Sequence, residues 1–476
     1  MPSGKIFHST LSVWALAFLL VPGAFAKQYE VGMGQAFAKI QACMNAADPG
    51  EICNVHAGVY AENIRFKSDR VTLQANHGDT VQLNGTIDML SYSDAVVDGF
   101  QLTGFTATSG GIHAYKTTGG IIRNNLVHNA NGCGIYVRMV KDFQIYGNTI
   151  HDMTGAGAYL GDGICTMSTS STDGTYAHGL QIYSNEVYQN HQDGIEILGQ
   201  YVSVHDNYVH DNIYPDFASV HPDGIECNGS VDGTVGCVHA LVYNNIVKNQ
   251  NQNVYFNGLG TAAQNSDIWI FNNVVFNDPA SSTGVSSATG TSSQIILNVG
   301  TAAYILNNTI GGTVQYFDIC LGDCTGGNHE AWAYNDVHIL NNIIANSLYV
   351  GLWAYPSASV TEMDANLYFN NSAATLHWGS SGNLTSIAQI RSATGMEIHG
   401  QQANPQIKAL SAPNLAAKSP AIGAGRNLTG LRQTILNSDH NGMPRPSSGA
   451  WDVGALSFGS VRMRPIPPEK STATAR

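Results

Sequence analysis

A chain of 476 residues with 51 glycines, only 12% charged residues and a formal charge of -13 must build most of its surface from Asn, Ser, Thr, Gln and Gly. That neutral, hydrogen-bonding surface and acidic balance exclude a basic face for nucleic acid, and a polyanionic partner would need bound cations or a local positive patch. The length allows two or three globular domains or one elongated repeat array.

Lys5, an apolar run over residues 11–21 and Ala24-Phe25-Ala26 have the layout of a secretory signal peptide over residues 1–26, so the mature chain is expected to start near Lys27. No later stretch is apolar and long enough to span a bilayer. The expected product is secreted, extracellular or periplasmic. Eight cysteines suit an oxidising compartment. Cys43 with Cys53, Cys227 with Cys237 and Cys320 with Cys324 are the local pairings, leaving Cys133 and Cys165, and sequence alone leaves the connectivity open.

Phe37, Ile40 and Met44 recur at helical spacing and predict an amphipathic helix over residues 34–47. Asp48-Pro49-Gly50 stops it, Ile52 to Val55 begins a strand, and Ala57 to Tyr60 reads as a turn. The 27–50 segment is therefore expected to cap the open end of the strand-rich region beyond it, hiding apolar interior and unpaired strand edges.

A repeat then takes over, in which a β-branched residue is followed three positions later by Asn. The asparagines are Asn125, Asn148, Asn185, Asn207, Asn245, Asn273, Asn308 and Asn342. Their spacing runs from 22 residues (Asn185 to Asn207) to 38 (Asn207 to Asn245), as expected of a solenoid whose insertions gather on one side. Stacked amides both donate and accept, which explains Asn at a repeated turn. Ile112, Ile135, Ile164, Ile195, Ile225 and Val254 form a predicted inward column. The next residues, His113, Tyr136, Cys165, Glu196, Glu226 and Tyr255, then alternate outward.

The phrase H-x-D-G-I-E occurs twice, as His191, Asp193, Gly194, Ile195, Glu196 and as His221, Asp223, Gly224, Ile225, Glu226, with an echo at Asp162-Gly163-Ile164. Asp-Gly followed by Ile is ordinary turn and core chemistry. An outward acid after it is not required by any turn. Stacked at ~4.8 Å, ionised carboxylates repel by about 3 kcal/mol at an effective dielectric near 20, so a cation, a raised pKa or a catalytic task is expected there.

The cap helix, Gly58-Val59-Tyr60, the Asn repeats and the D-G-I turns resemble the right-handed parallel β-helix proteins of the pectin-lyase-like superfamily, over residues 34–458. The resemblance implies an all-β fold, a right-handed parallel β-helix with an N-terminal capping helix. The solenoid would cover residues 51–350, with final coils and a C-terminal closure over 351–460 and a disordered tail over 461–476. Ser419 to Gly425 and Asp452-Val453-Gly454-Ala455 are similar to that closure in exported bacterial members.

The resemblance further implies an extracellular polysaccharide as partner and a monomer. The superfamily contains lyases, hydrolases, epimerases and non-catalytic surface proteins, so fold does not choose among them. The pectate-lyase pattern around W-x-D-H and the polygalacturonase motif set are both absent.

Three chemistries fit the repeated phrase. Asp193, Glu196, Asp223 and Glu226 could hold a hard cation such as Ca2+. In metal-assisted β-elimination, which the resemblance and the cluster's capacity for a cation slightly favour, His191, His210 or His221 would take the sugar proton. In hydrolysis, paired carboxylates would divide the acid and base roles. A non-catalytic, Ca2+-stabilised surface protein is the remaining alternative. Tyr214 and Phe217, just before His221, are candidate sugar contacts, as are Lys248 and Arg138; Arg138 and Lys141 are the nearest cations in sequence to the start of the cluster. His128, His151, His210 and Lys248 fall three residues beyond the Asn ladder and predict a second outward column.

Overall fold

The computed structural model describes residues 26–107, 110–155, 161–166, 176–212, 222–229, 236–258, 265–278, 293–312, 316–324 and 332–461. Tyr214, Phe217, His221, residues 1–25 of the signal segment and residues 462–476 of the tail lie outside the described residues.

The chain winds through three parallel sheets of 13, 14 and 13 strands. One coil shows the pattern. Ser203–His205 belongs to the first sheet, Tyr208–His210 to the second and Asp223–Cys227 to the third, before Leu241–Tyr243 returns to the first one rung on. Parallel pairing puts like residues over like. Ile112, Ile135, Ile164, Ile195, Ile225 and Val254 are in register in the third sheet and fully buried. Each such side chain contributes about 1.5–3 kcal/mol by leaving water.

The N-terminal helix occupies Ile40–Ala46, shorter than the helical spacing suggests. Gln28–Val31 is already the first strand of the first sheet, paired with Ile52–Val55. Phe37 bridges back to Val31, its N–H donating to Glu30 O. Ile40, Cys43 and Met44 are buried, and the Glu62 carboxylate accepts from the N–H groups of Ile40 (3.0 Å) and Gln41 (3.1 Å), satisfying helix-end donors that Lys39 cannot cap. Gly58–Tyr60, expected as a turn, is instead a strand of the second sheet, paired with Val81–Leu83. No described helix is long and apolar enough to cross a membrane.

Between the first and second sheets the chain turns on a buried amide ladder. Asn207 shows the repeating bond set: its N–H and Nδ2 both donate to Asn245 Oδ1 at 3.0 Å, and Nδ2 also donates to Ile182 O at 2.9 Å. The ladder continues past Asn342 to Asn366, where a carboxylate ends it. Glu397 accepts from Asn366 Nδ2 (2.7 Å), Asn366 N–H (3.3 Å) and the Tyr368 hydroxyl (2.7 Å). Burial pushes the Glu397 carboxyl up to about 7 against those donors.

The last coils close with Gly382–Leu384, which pairs antiparallel to Ala374–Trp378. Ile387–Thr394 follows, a helix with a capping box formed by Ser386 and Gln389. Beyond it, the chain lies along the side of the stack as a strap. Outward asparagines preceding the ladder hold it: Asn272 Nδ2 donates to Ser438 O (2.7 Å), Asn307 to Asp452 O (3.0 Å) and Asn341 to Arg426 O (2.9 Å). Leu428, Leu436 and Trp451 cover Trp269, Phe271, Leu306 and Leu340. The buried Arg445 guanidinium donates to Asn272 Oδ1 (2.9 Å) and Gly454 O (3.2 Å). All eight cysteines pair, the leftover Cys133 with Cys165 and the other six locally as expected.

Candidate functional site

At the corner between the second and third sheets, each residue of Asp-Gly-Ile has a separate structural task. Asp223 N–H donates to Asp193 Oδ1 (2.7 Å), and Asp193 N–H donates to Asp162 Oδ1 (3.1 Å), so each carboxylate holds the coil that comes after it. A Cβ on Gly194 would lie 2.4 Å from Val209 and 2.7 Å from Gly224 O, and Gly163 and Gly224 are equally confined. Ile then enters the core. The phrase is thus a rung-closing device, and the turn reading of D-G-I is correct as far as it goes.

The acids exceed what that device needs. Glu196 and Glu226 pair in register on the outward side of the third sheet, yet they are only 3% and 1% exposed. With Asp162, Asp193 and Asp223 they form a cluster of five buried carboxyls. One oxygen each of Asp193, Asp223 and Glu226 lies within 4.8 Å of the others. Burial, followed by the neighbouring acids, pushes Asp162, Glu196 and Glu226 well above the ordinary carboxylate range. For Glu226 the acids are Asp193, Asp223 and Glu196. Its Oε1 is buried without a hydrogen-bond partner.

The outward column runs as the alternation predicts, through His113, Tyr136, Cys165, Glu196, Glu226 and Tyr255. Cys165 is tied to Cys133, and Cys227, next to Glu226, is tied to Cys237. On the next rung Tyr255 accepts from Asn298 Nδ2 (2.9 Å). Burial and the charges of Glu226 and Asp223 raise its hydroxyl pKa well above the usual value. Asp162 and Tyr255 therefore join the site, together with Asn228, which hydrogen-bonds Glu196. The third D-G-I echo is the sequence signal for Asp162.

The remaining candidates divide. His191 lies beside the cluster, its N–H donating to Met153 O (2.9 Å) and its ring Nδ1 bonded to Gly155 O. Arg138 is one rung before Cys165, hydrogen-bonded to Tyr136, which also feels the Glu196 charge. His210 and Lys248 are in register with each other on the second sheet and outside the acid cluster. Their column reads His128, His151, Tyr188, His210, Lys248, with Tyr188 filling the gap in the predicted series. The rings lie 4.7 to 5.2 Å apart, nearly parallel, so they cover one another's faces and present edges rather than a platform for a sugar ring.

His210 Nδ1 bonds Asp211 Oδ2 (2.7 Å), and its Nε2 lies 3.6 Å from Glu186 Oε1. Burial opposes its charge, but these two carboxylates outweigh burial and hold the imidazole above its ordinary value.

A family profile described as "Right handed beta helix region" matches residues 52–212. Together with the three stacked sheets, that match makes the chain a right-handed parallel β-helix. Two solved β-helices share that fold. The surface adhesin PfbA of Streptococcus pneumoniae is 11% identical, over 73% of this chain and 89% of its own, at a TM-score of 0.51. XylC in complex with xylose is 9% identical, over 90% and 98%, at a TM-score of 0.50. Pectate lyase Pel9A is 15% identical, over 92% and 98%, at a TM-score of 0.46. No curated protein sequence matches the chain. At these identities the likeness establishes the coil and nothing about the acids.

Proposed function

We propose that this β-helix is an exported carbohydrate-active enzyme that hydrolyses a polysaccharide at the acid cluster. One observation carries the reading: Asp193, Asp223 and Glu226 bring buried carboxyl oxygens within 4.8 Å of one another, so they cannot all be ionised cheaply. A group of acids held in mixed protonation states divides general acid and base roles. Glu226, pushed toward its neutral form, donates a proton to the leaving oxygen. Asp193, the least buried of the five, accepts a backbone N–H from Asp223 and assists water or the sugar cation. Elimination would lose one of its expected bases, because His210 stands on another sheet and outside the acid cluster.

A second reading rests on Glu226 Oε1, buried without a partner. An all-carboxylate donor set fits a hard cation such as Ca2+, with Asp193, Asp223 and Glu226 as ligands and Glu196 beside them. Such a cation would neutralise an acidic sugar and favour proton loss next to its carboxylate. His191 is then the nearest base.

Digestion of neutral and acidic polysaccharides with and without chelator separates the readings. Reducing ends without an unsaturated, ultraviolet-absorbing product, unaffected by chelator and abolished by Glu226→Gln, is the expected result. Unsaturated product lost on chelation would replace hydrolysis with elimination. No consumption of any polymer would point to a surface protein with a structural cation.

A further inference from the structure

The acid cluster lies at the corner between the second and third sheets. On its N-terminal side, two adjoining clefts of about 520 and 460 Å3 open along the corner between the second and third sheets and share Phe105 and Thr106. Ile64, Ile87, Ile112, Ile135, Ile164 and Ile195 are in register through this region, so the clefts and the Asp193 coil span five rungs, ~24 Å at the strand spacing. A pyranose repeat is about as long as one rung.

The lining is a row of hydroxyls and carboxamides at that repeat. Thr106 is in register with Asn131, and Asn131 with Thr154. Thr106 and Thr154 are exposed. Asn63 and Thr86 line the farther cleft, where Thr86 N–H donates to Asn63 Oδ1 (3.1 Å). Amides and hydroxyls both donate and accept, matching the hydroxyls of a sugar chain. The charges point the same way. Arg65 is the cation of the two linings and lies 3.4 Å from Asp88, while the Asp152 carboxylate bonds His151 Nδ1 (2.7 Å), so no unpaired cation faces the clefts among the lining residues. A chain of uronates would meet no net positive charge there.

We infer that the double cleft binds several consecutive neutral sugars of a glycan and delivers the chain to the acid cluster. The inference deepens the proposed hydrolytic reading and rests on it for the direction of delivery. It makes affinity and KM depend on chain length toward the N-terminal coils. It also makes the protein select neutral over uronic polymers.

The test uses full-length protein carrying Glu226→Gln, titrated calorimetrically with cellohexaose, xylohexaose, mannohexaose, laminarihexaose and hexagalacturonate. At least one neutral hexaose binds at least tenfold more tightly than its dimer and than hexagalacturonate. Thr106→Trp, which fills the shared part of the clefts, and Asn131→Ala each weaken that binding at least tenfold. Binding that survives both substitutions, a preference for hexagalacturonate, or no binding by any neutral hexaose overturns the inference. If wild-type protein cleaves a polymer and both cleft variants keep its KM, the cleft inference fails and the hydrolytic reading stands. If neutral hexaose binding is lost in Thr106→Trp but wild-type protein cleaves nothing, the cleft stands and the hydrolytic reading fails.

Discussion

Glu397 gives the most direct test of how this solenoid handles buried acid. It ends the amide ladder, accepting three hydrogen bonds while wholly buried. Burial is the largest influence on it and raises its pKa; the Asn366 and Tyr368 donors oppose this, and Asp364 adds a small push upward. The result is a carboxyl titrating at about 7, against 4.5 when unperturbed. Below the lower value the group is protonated in both states and its stabilising contribution is complete. Between the two values the unfolded chain gives up its proton while the folded chain keeps it, so stability falls as pH rises. At about 1.4 kcal/mol per pH unit, the loss across this window is about 3 kcal/mol. Glu397→Gln cannot ionise but keeps an oxygen for Asn366 and Tyr368. Urea unfolding followed by tryptophan fluorescence, near pH 4.5 and again near pH 8, gives the comparison. Wild type should lose about 3 kcal/mol more than the variant over that range. Asp162, Glu196 and Glu226 slope the same way in both proteins and cancel in the difference. Parallel pH profiles for wild type and variant would refute the argument.

The acid cluster should show a related effect: with chelator present near neutral pH, Glu226→Gln melts no lower than wild type while losing turnover, because it removes a buried repulsion. A melting temperature that drops with Glu226→Gln and with chelator alike would assign the cluster to a structural cation. Asn245→Ala leaves the Asn207 N–H without its partner and removes one bond each from Asn207 Nδ2, which keeps Ile182 O, and from Val204 O, at about 1–3 kcal/mol for a buried group left unsatisfied. Its urea midpoint should fall by far more than that of Asn84→Ala, an exposed asparagine outside the ladder. Replacing both Cys227 and Cys237 with Ser opens a link of sequence separation 10 and should cost about 2–3 kcal/mol by loop entropy, read as a lower unfolding midpoint than wild type without reductant. Arg445→Leu removes the guanidinium bonds to Asn272 and Gly454, so brief trypsin treatment should cut the strap at Arg426 or Arg432 in the variant before it does so in wild type.

The coil is legible in the sequence because parallel stacking forces like residues onto like, and each asparagine of the ladder is needed by the one before it. Glu196 and Glu226 stand out for the complementary reason: no rung-closing task explains an acid after Asp-Gly-Ile. Their depth is not legible, because burial of an outward residue depends on what lies over the sheet rather than on the sheet's own alternation. Asp162 reads in the sequence as a turn residue, and it does close a rung, but closing a rung and joining the cluster prove compatible. The helix is shorter than its pattern because Phe37 sits at helical spacing while its backbone bridges to a strand. The strap is invisible for a different reason. Its partners, Asn272, Asn307 and Asn341, precede it by between 85 and 166 residues and carry no periodic signal within it.

The placement of the acids depends on which parts of the coil can bear their cost. Five buried carboxyls, of which Asp162, Glu196 and Glu226 have raised pKa values, oppose folding near neutral pH, so they require a backbone that cannot relax away from them. Asp162, Asp193 and Asp223 meet part of that requirement themselves, since two of them accept a backbone N–H from the next coil. Covalent links add the rest. Cys165 stands one rung before Glu196 in the same column, and Cys227 directly succeeds Glu226, so disulfides close on both sides of the acidic pair. Reduction should therefore loosen this corner before it loosens the ladder-held corner opposite, and hydrogen exchange at Gly194, Glu196 and Glu226 should rise first. Equal exchange at Asn207 and Asn245 under the same conditions would mean that the ladder and the acidic corner open as one unit.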